Sequence, residues 1–160
     1  FRCLFISSIV SSAVPMPDTR TLTLEILKDS YLANLATNDA EGPWAAAVTF
    51  VSDDDMNIYW LSQAAARHSQ AIEKGNPIAV AITAAWESSS ERALQMSGRA
   101  EQIADVPEHI VEAYAEKRGR ERHEQLQKSL ERGTVWYRFT PERIELIYGK
   151  YFGYNRQRVL

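Results

Sequence analysis

The sequence predicts an α+β protein, mainly β, in which short antiparallel strands close into a barrel with helices at its periphery. Three observations carry that expectation. Several short runs alternate apolar and polar residues at the period of a strand. Turn residues separate those runs at the short spacing of a barrel. Helical periodicity is confined to the start of the chain, a segment after the third strand, and a region before the last strand pair.

Thr19 to Asp29 reads as a helix, because Leu22, Ile26 and Leu27 recur at helical spacing and Asp18 or Thr19 can cap it. Ser30 to Thr37 reads as a strand, with Tyr31, Ala33, Leu35 and Thr37 on one face and Leu32, Asn34 and Ala36 on the other. Asn38 to Gly42 is turn chemistry, and Gly42 can take a positive φ. Pro43 then opens a strand from Trp44 to Val51; Ser52 to Asp55 turns the chain, and Asn57 to Leu61 pairs back as the third strand of a meander. A helix over Ala64 to Lys74 follows, closed by Gly75. Asn76-Pro77 stops it, and the very apolar IAVAITAAW reads as a central strand buried on both faces. Glu87 to Glu91 is an exposed loop. Leu94 to Ala104 is a strand in which Gly98 marks a bulge or a close backbone approach. Asp105 to Arg132 is helical, capped by Asp105, with Pro107 in its first turn and Ile110, Val111 and Tyr114 as its stripe. Gly119 divides this region, and its second half carries Leu126 and Leu130 up to Gly133. The alternating charges at 117–124 form a solvated face. Thr134 to Thr140 and Arg143 to Tyr148 are two last strands around Pro141-Glu142, for six or seven in all.

The 160 residues suffice for one domain, taken as residues 16–160. Residues 1–15 are apolar and Ser-rich and do not begin with Met; they read as a leader or a misassigned start, with Met16 opening a more ordinary N-terminus. A net charge of −3 argues against a nucleic-acid partner. No run approaches the roughly 18 apolar residues of a membrane span, so no membrane partner is expected. The lone Cys3 excludes an internal disulfide and fits a reducing, cytoplasmic setting.

The common nucleotide-binding, protease and hydrolase motifs are missing. His68, His109 and His123 lack ligand spacing, so no metal site is expected. Asp53-Asp54-Asp55 is a solvated turn rather than an acid–base pair. The chemistry concentrates at one strand-to-helix turn, where Ser62, Arg67 and His68 gather. The first N–H groups of a helix have no internal partner and attract anions, and an arginine adds a forked donor. These three residues therefore read as a phosphate clamp, or as an ordinary junction with a solvated Arg and His. Trp44, Ala45, Ala46 and Ala47 place mostly small side chains on consecutive strand positions, where a flat ring could approach the backbone or a barrel could simply pack. Gln95, Ser97 and Arg99 share one face of their strand.

The order of LATNDAEGPWAAAVTFVSDDDMNIYWLSQAAARHSQAI, NPIAVAI, MSGRAEQI and a terminal YFGYN resembles the pyridoxamine 5′-phosphate oxidase-like family of FMN-binding split barrels, over about residues 22–155. The resemblance implies a six-stranded antiparallel split barrel and a homodimer with FMN at the subunit interface. It implies that the strand of Trp44 to Val48 runs along the flavin ring, and that Leu61, Ser62, Arg67 and His68 hold the phosphate. Gln95 and Trp136 would complete the site from the second subunit. The implied activity is electron or hydride transfer at flavin N5 to or from a small-molecule substrate. Two departures stand out. Ala66 replaces the Thr that relatives often carry before the Arg, and the tail GKYFGYNRQRVL departs from the Arg-rich substrate motif of the true oxidases. A flavin- or haem-binding module without turnover, and a deazaflavin-dependent reductase, are the alternatives.

Overall fold

A computed structural model describes residues 16–84, 91–119, 128, 130 and 132–160. Helix α1 (Thr19–Asp29) is followed by strands β1 (Leu32–Asp39), β2 (Gly42–Thr49), β3 (Val51–Ser52) and β4 (Ile58–Gln63). Helix α2 (Arg67–Glu73), β5 (Ile78–Thr83), β6 (Arg92–Ile103), α3 (Glu108–Arg118) and β7 (Thr134–Tyr148) come next. One helical turn, Gly149–Phe152, leads to β8 (Gln157–Arg158).

These strands form one antiparallel sheet in the order β2-β1-β5-β6-β7-β4-β3, with β8 on the free stretch of β7. Its two edges, β2 and β3, are separated in sequence by Phe50 alone. A flat sheet of that many strands would be about 29 Å wide, whereas one residue reaches about 3.5 Å. The sheet must therefore curl until its edges meet. The carbonyl of Phe50, at this change of partner, accepts a hydrogen bond from Lys117 Nζ at 2.9 Å, and Lys117 also donates to the Ser30 carbonyl at 2.7 Å. Lys117 thus ties α3 to the seam and to the end of α1.

The concave side of the sheet holds the main core, which includes Leu35, Phe50, Trp60, Ile82, Leu94, Tyr137 and Ile144. Helix α1, capped by the Asp18 carboxylate on the Thr21 N–H, adds Leu22, Ile26 and Leu27, the stripe read from the sequence. Each such buried side chain contributes about 1.5–3 kcal/mol. A second cluster, Val51, Tyr59, Ile110, Tyr114 and Trp136, packs under α3.

Five expectations need correction. The six strands that the resemblance implies differ from the eight among the described residues, because β3 and β8 are two-residue additions to six longer strands. The final strand pair is one continuous β7; Pro141 is accommodated where β6 bulges at Ser97/Gly98 and where neither β4 nor β8 pairs with it. The strand expected to be buried on both faces, β5, is central but alternates: Ile78, Val80 and Ile82 are buried while Ala79, Ala81 and Thr83 are exposed. Strand β4 pairs mainly with β7 rather than completing a meander with β2, and it runs on through Ser62 to Gln63. At α3 the cap position is held by Pro107, not Asp105. The expected loop at 87–90, most of the charge run at 117–124, Cys3 and Leu126 lie outside the described residues.

Candidate functional site at the β4–α2 turn

Period-two alternation along β4 sends Ile58, Trp60 and Ser62 into the main core side and Tyr59 and Leu61 toward the second cluster. Ser62 therefore arrives buried at the end of the strand. A short turn closed by the Ala66 N–H on the Gln63 carbonyl then starts α2 at Arg67. Ala66 occupies the N-cap position and offers no side-chain cap.

His68 turns back onto the strand, with Nε2 2.8 Å from Ser62 Oγ. Burial lowers the imidazole pKa below its ordinary value, which favours the neutral ring at pH 7. Arg67 points the other way, toward the β1–β2 hairpin, and its guanidinium carbon lies 4.7 Å from the centroid of the Trp44 ring. Arg67 Nε and Nη2 donate to the two carboxylate oxygens of Asp39 at 2.7 and 2.8 Å, and Nη2 also reaches the Gly42 carbonyl at 3.3 Å. Glu41 stands 3.6 Å from Nη1. The Arg67 hydrogen bonds hold the Asp39 carboxyl at about 2.

The expected residues fall into separate groups. Ser62 with His68, and Arg67 with Trp44, meet at the turn. Ala45 and Ala47 lie exposed on the convex face of β2, with Ala46 on the opposite side. They adjoin Ala36 and Asn34 of β1 in register. Gln95 is exposed on the same convex face, paired with Ala81 and Glu145. It lines a cavity of about 310 Å³ with Ser97, Arg143, Glu145 and Arg156. Leu61 and Trp136 pair across β4 and β7. Trp136 is only 7% exposed, with its ring edge-on to Tyr114 at 5.0 Å. A larger cavity of about 450 Å³, between α1, β3 and α3, involves none of the expected site residues. Asp39 is the contact that sequence reasoning missed; its identity as turn chemistry was clear, but nothing local joins it to an arginine 28 positions away.

The model of the pyridoxamine 5′-phosphate oxidase family matches residues 22–148. The chain belongs to this family. Solved structures that share the fold include a conserved hypothetical protein, Rv2991, from Mycobacterium tuberculosis, at 15% identity and a TM-score of 0.67, covering 93% of this chain and 95% of that one. HutZ, the haem storage protein from Vibrio cholerae, matches at 19% identity and a TM-score of 0.60, covering 78% and 91%. An FAD-binding protein from Mesorhizobium loti matches at 14% identity and a TM-score of 0.56, covering 75% and 85%. No curated protein matches the chain. Among the described residues no helix is long and apolar enough to cross a membrane, and no group of three or more His, Cys, Asp or Glu side chains is placed to hold a metal.

Proposed function

We propose that this chain is an FMN-binding flavoprotein of the split-barrel type, working as a homodimer and transferring electrons or hydride with a small-molecule substrate. The observation that carries the reading is that one strand-to-helix turn presents Ser62 with His68 on one side and Arg67 beside Trp44 on the other, in a member of this family. The residues present fit a flavin in part. Small side chains at Ala45 and Ala47 leave a backbone that a flat ring can approach. At the phosphate end, Ser62 offers a hydroxyl and Arg67 a forked donor, although the fork is engaged by Asp39. Leu61 would border the phosphate end, and Gln95 and Trp136 of a second copy would complete the site, although Trp136 is packed in the second cluster of its own chain. Bound flavin would supply the redox chemistry at N5, and the chain would supply position, hydrogen bonds and shielding from water.

In a haem reading His68 would be the axial ligand, and its Nε2 lies 2.8 Å from Ser62 Oγ. The visible spectrum of the purified protein, followed by titration with FMN, tests the proposal. Flavin bands near one equivalent per chain are expected, and deazaflavin would betray itself by bands at shorter wavelength. A colourless protein that leaves added FMN unbound would overturn the reading. Reduction of the bound flavin by a nicotinamide, then reoxidation, would separate an enzyme from a binder.

A further inference from the structure

The tip of the β1–β2 hairpin sits on the residue assigned to the phosphate. A carboxylate against the Nε–Nη edge of a guanidinium makes the same two parallel hydrogen bonds that a phosphate monoester makes. Here Asp39 makes both, Gly42 takes a further donor, and the Glu41 carboxylate faces the remaining nitrogen. Two carboxylates face Arg67, and Lys74 is a second cation close enough to act on Asp39, so the charges around the guanidinium are near balance and offer a phosphate no free excess of positive charge. A phosphate carrying close to two negative charges meets a donor edge that is already taken, with the Asp39 and Glu41 carboxylates beside it.

We propose that the Asp39–Glu41 tip is an internal competitor for the ligand's phosphate, so that Asp39 sets how much a phosphate monoester contributes to affinity. This rests on the flavin reading above and concerns the regulation of the same site. The hairpin is built to allow the exchange. Its turn residues Ala40 and Glu41 are exposed, and Gly42 takes φ +103° in the position that suits glycine in a short hairpin turn. The tip can shift without moving the buried Ala33, Leu35 and Thr37 that anchor β1. A strong phosphate ligand that offers two oxygens to Arg67 would displace the carboxylate, while a ligand without phosphate would leave the pair intact. The chain would thus bind FMN and riboflavin with more similar affinities than a site with an unopposed arginine.

The test is titration of FMN and of riboflavin into the full chain and its variants, followed by flavin fluorescence. Asp39→Asn keeps the size of the side chain and an acceptor for the Glu41 N–H, but removes the charge. It is expected to tighten FMN by about tenfold and leave riboflavin unchanged. Glu41→Gln, at an 80% exposed position with no hydrogen bond to Arg67, is expected to tighten FMN by about two- to threefold through charge alone. In an Arg67→Ala background the Asp39→Asn gain should vanish. A preference for FMN over riboflavin that stays constant or falls in both Asp39→Asn and Glu41→Gln overturns the proposal. If Asp39→Asn fails to fold, Glu41→Gln decides. Flavin binding with an unchanged ratio would sink this inference alone, whereas no binding of either flavin by any variant would sink the flavin reading and this inference with it.

Discussion

At His68 the local environment makes a specific demand on pH. In the unfolded chain the imidazole takes up a proton near 6.5; in the fold, burial delays that uptake to lower pH. The unfolded state therefore holds more protons in this window, and stability falls as the pH drops below about 6.5. Asp39 adds a second stage. Its carboxyl is held at about 2 against an ordinary 3.8, so its contribution is present above 3.8 and is lost as the pH falls toward 2. Thermal melts between pH 8 and 3 should show a first decline that His68→Gln removes and a later one that it leaves in place. A melting temperature that is flat from pH 7 to 5 in the parent protein would contradict the buried, neutral ring. At this scale the turn was partly legible. A strand running into a helix places Ser62, Arg67 and His68 together by local spacing alone, but which way each side chain turns depends on Asp39 and Trp44, which come from another hairpin.

At the scale of elements, Gly98 shows what a single local signal can carry. The sequence indicated a bulge or a close approach, and both occur: the register shifts at Ser97/Gly98, and an added Cβ would fall onto the Thr140 carbonyl oxygen and within 2.9 Å of Pro141 Cα. That neighbour is backbone and cannot rotate aside. Gly98→Ala should cost about 3 kcal/mol, read as a lower urea midpoint at unchanged slope. An unaltered midpoint would mean that β6 and β7 do not cross here as described. Helix α1 was legible for a related reason, since its cap and stripe are contained within a single short segment. Strand β5 was not, because alanine looks equally at home in a core and on a bare face; Ala79 and Ala81 face outward. Likewise Pro141 suggested a break, and only the bulge in its partner strand shows how the chain passes through it.

The whole molecule has a convex face unlike that of a sheet made to face water. Leu32, Ala36, Ala45, Ala47, Ala79 and Ala81 are all exposed across β1, β2 and β5, where an antiparallel sheet would ordinarily carry polar side chains. The proposed homodimer would cover this face and bring the Gln95 cavity of one copy toward β2 of the other. Sedimentation at micromolar concentration should give two chains per particle. Substituting Ala81→Arg, which places a charge at the centre of the face, should shift the particle to one chain with little loss of melting temperature. A parent protein that sediments as a single chain would remove the interface, and with it the role given to Gln95.

The helix stripe of α1, the bulge at Gly98 and the residues of the β4–α2 turn were determined by the sequence because each depends on spacing within one short stretch, and the family and the barrel-like succession of strands because they depend on the order of such stretches along the chain. The tertiary structure decided the order of strands in the sheet, the closure at Phe50 and its tie to Lys117. It also decided the burial of Trp136 and the pairing of Arg67 with Asp39. Those features join segments far apart in the chain, and periodicity reports only which side of an element is apolar, never which other element will lie against it.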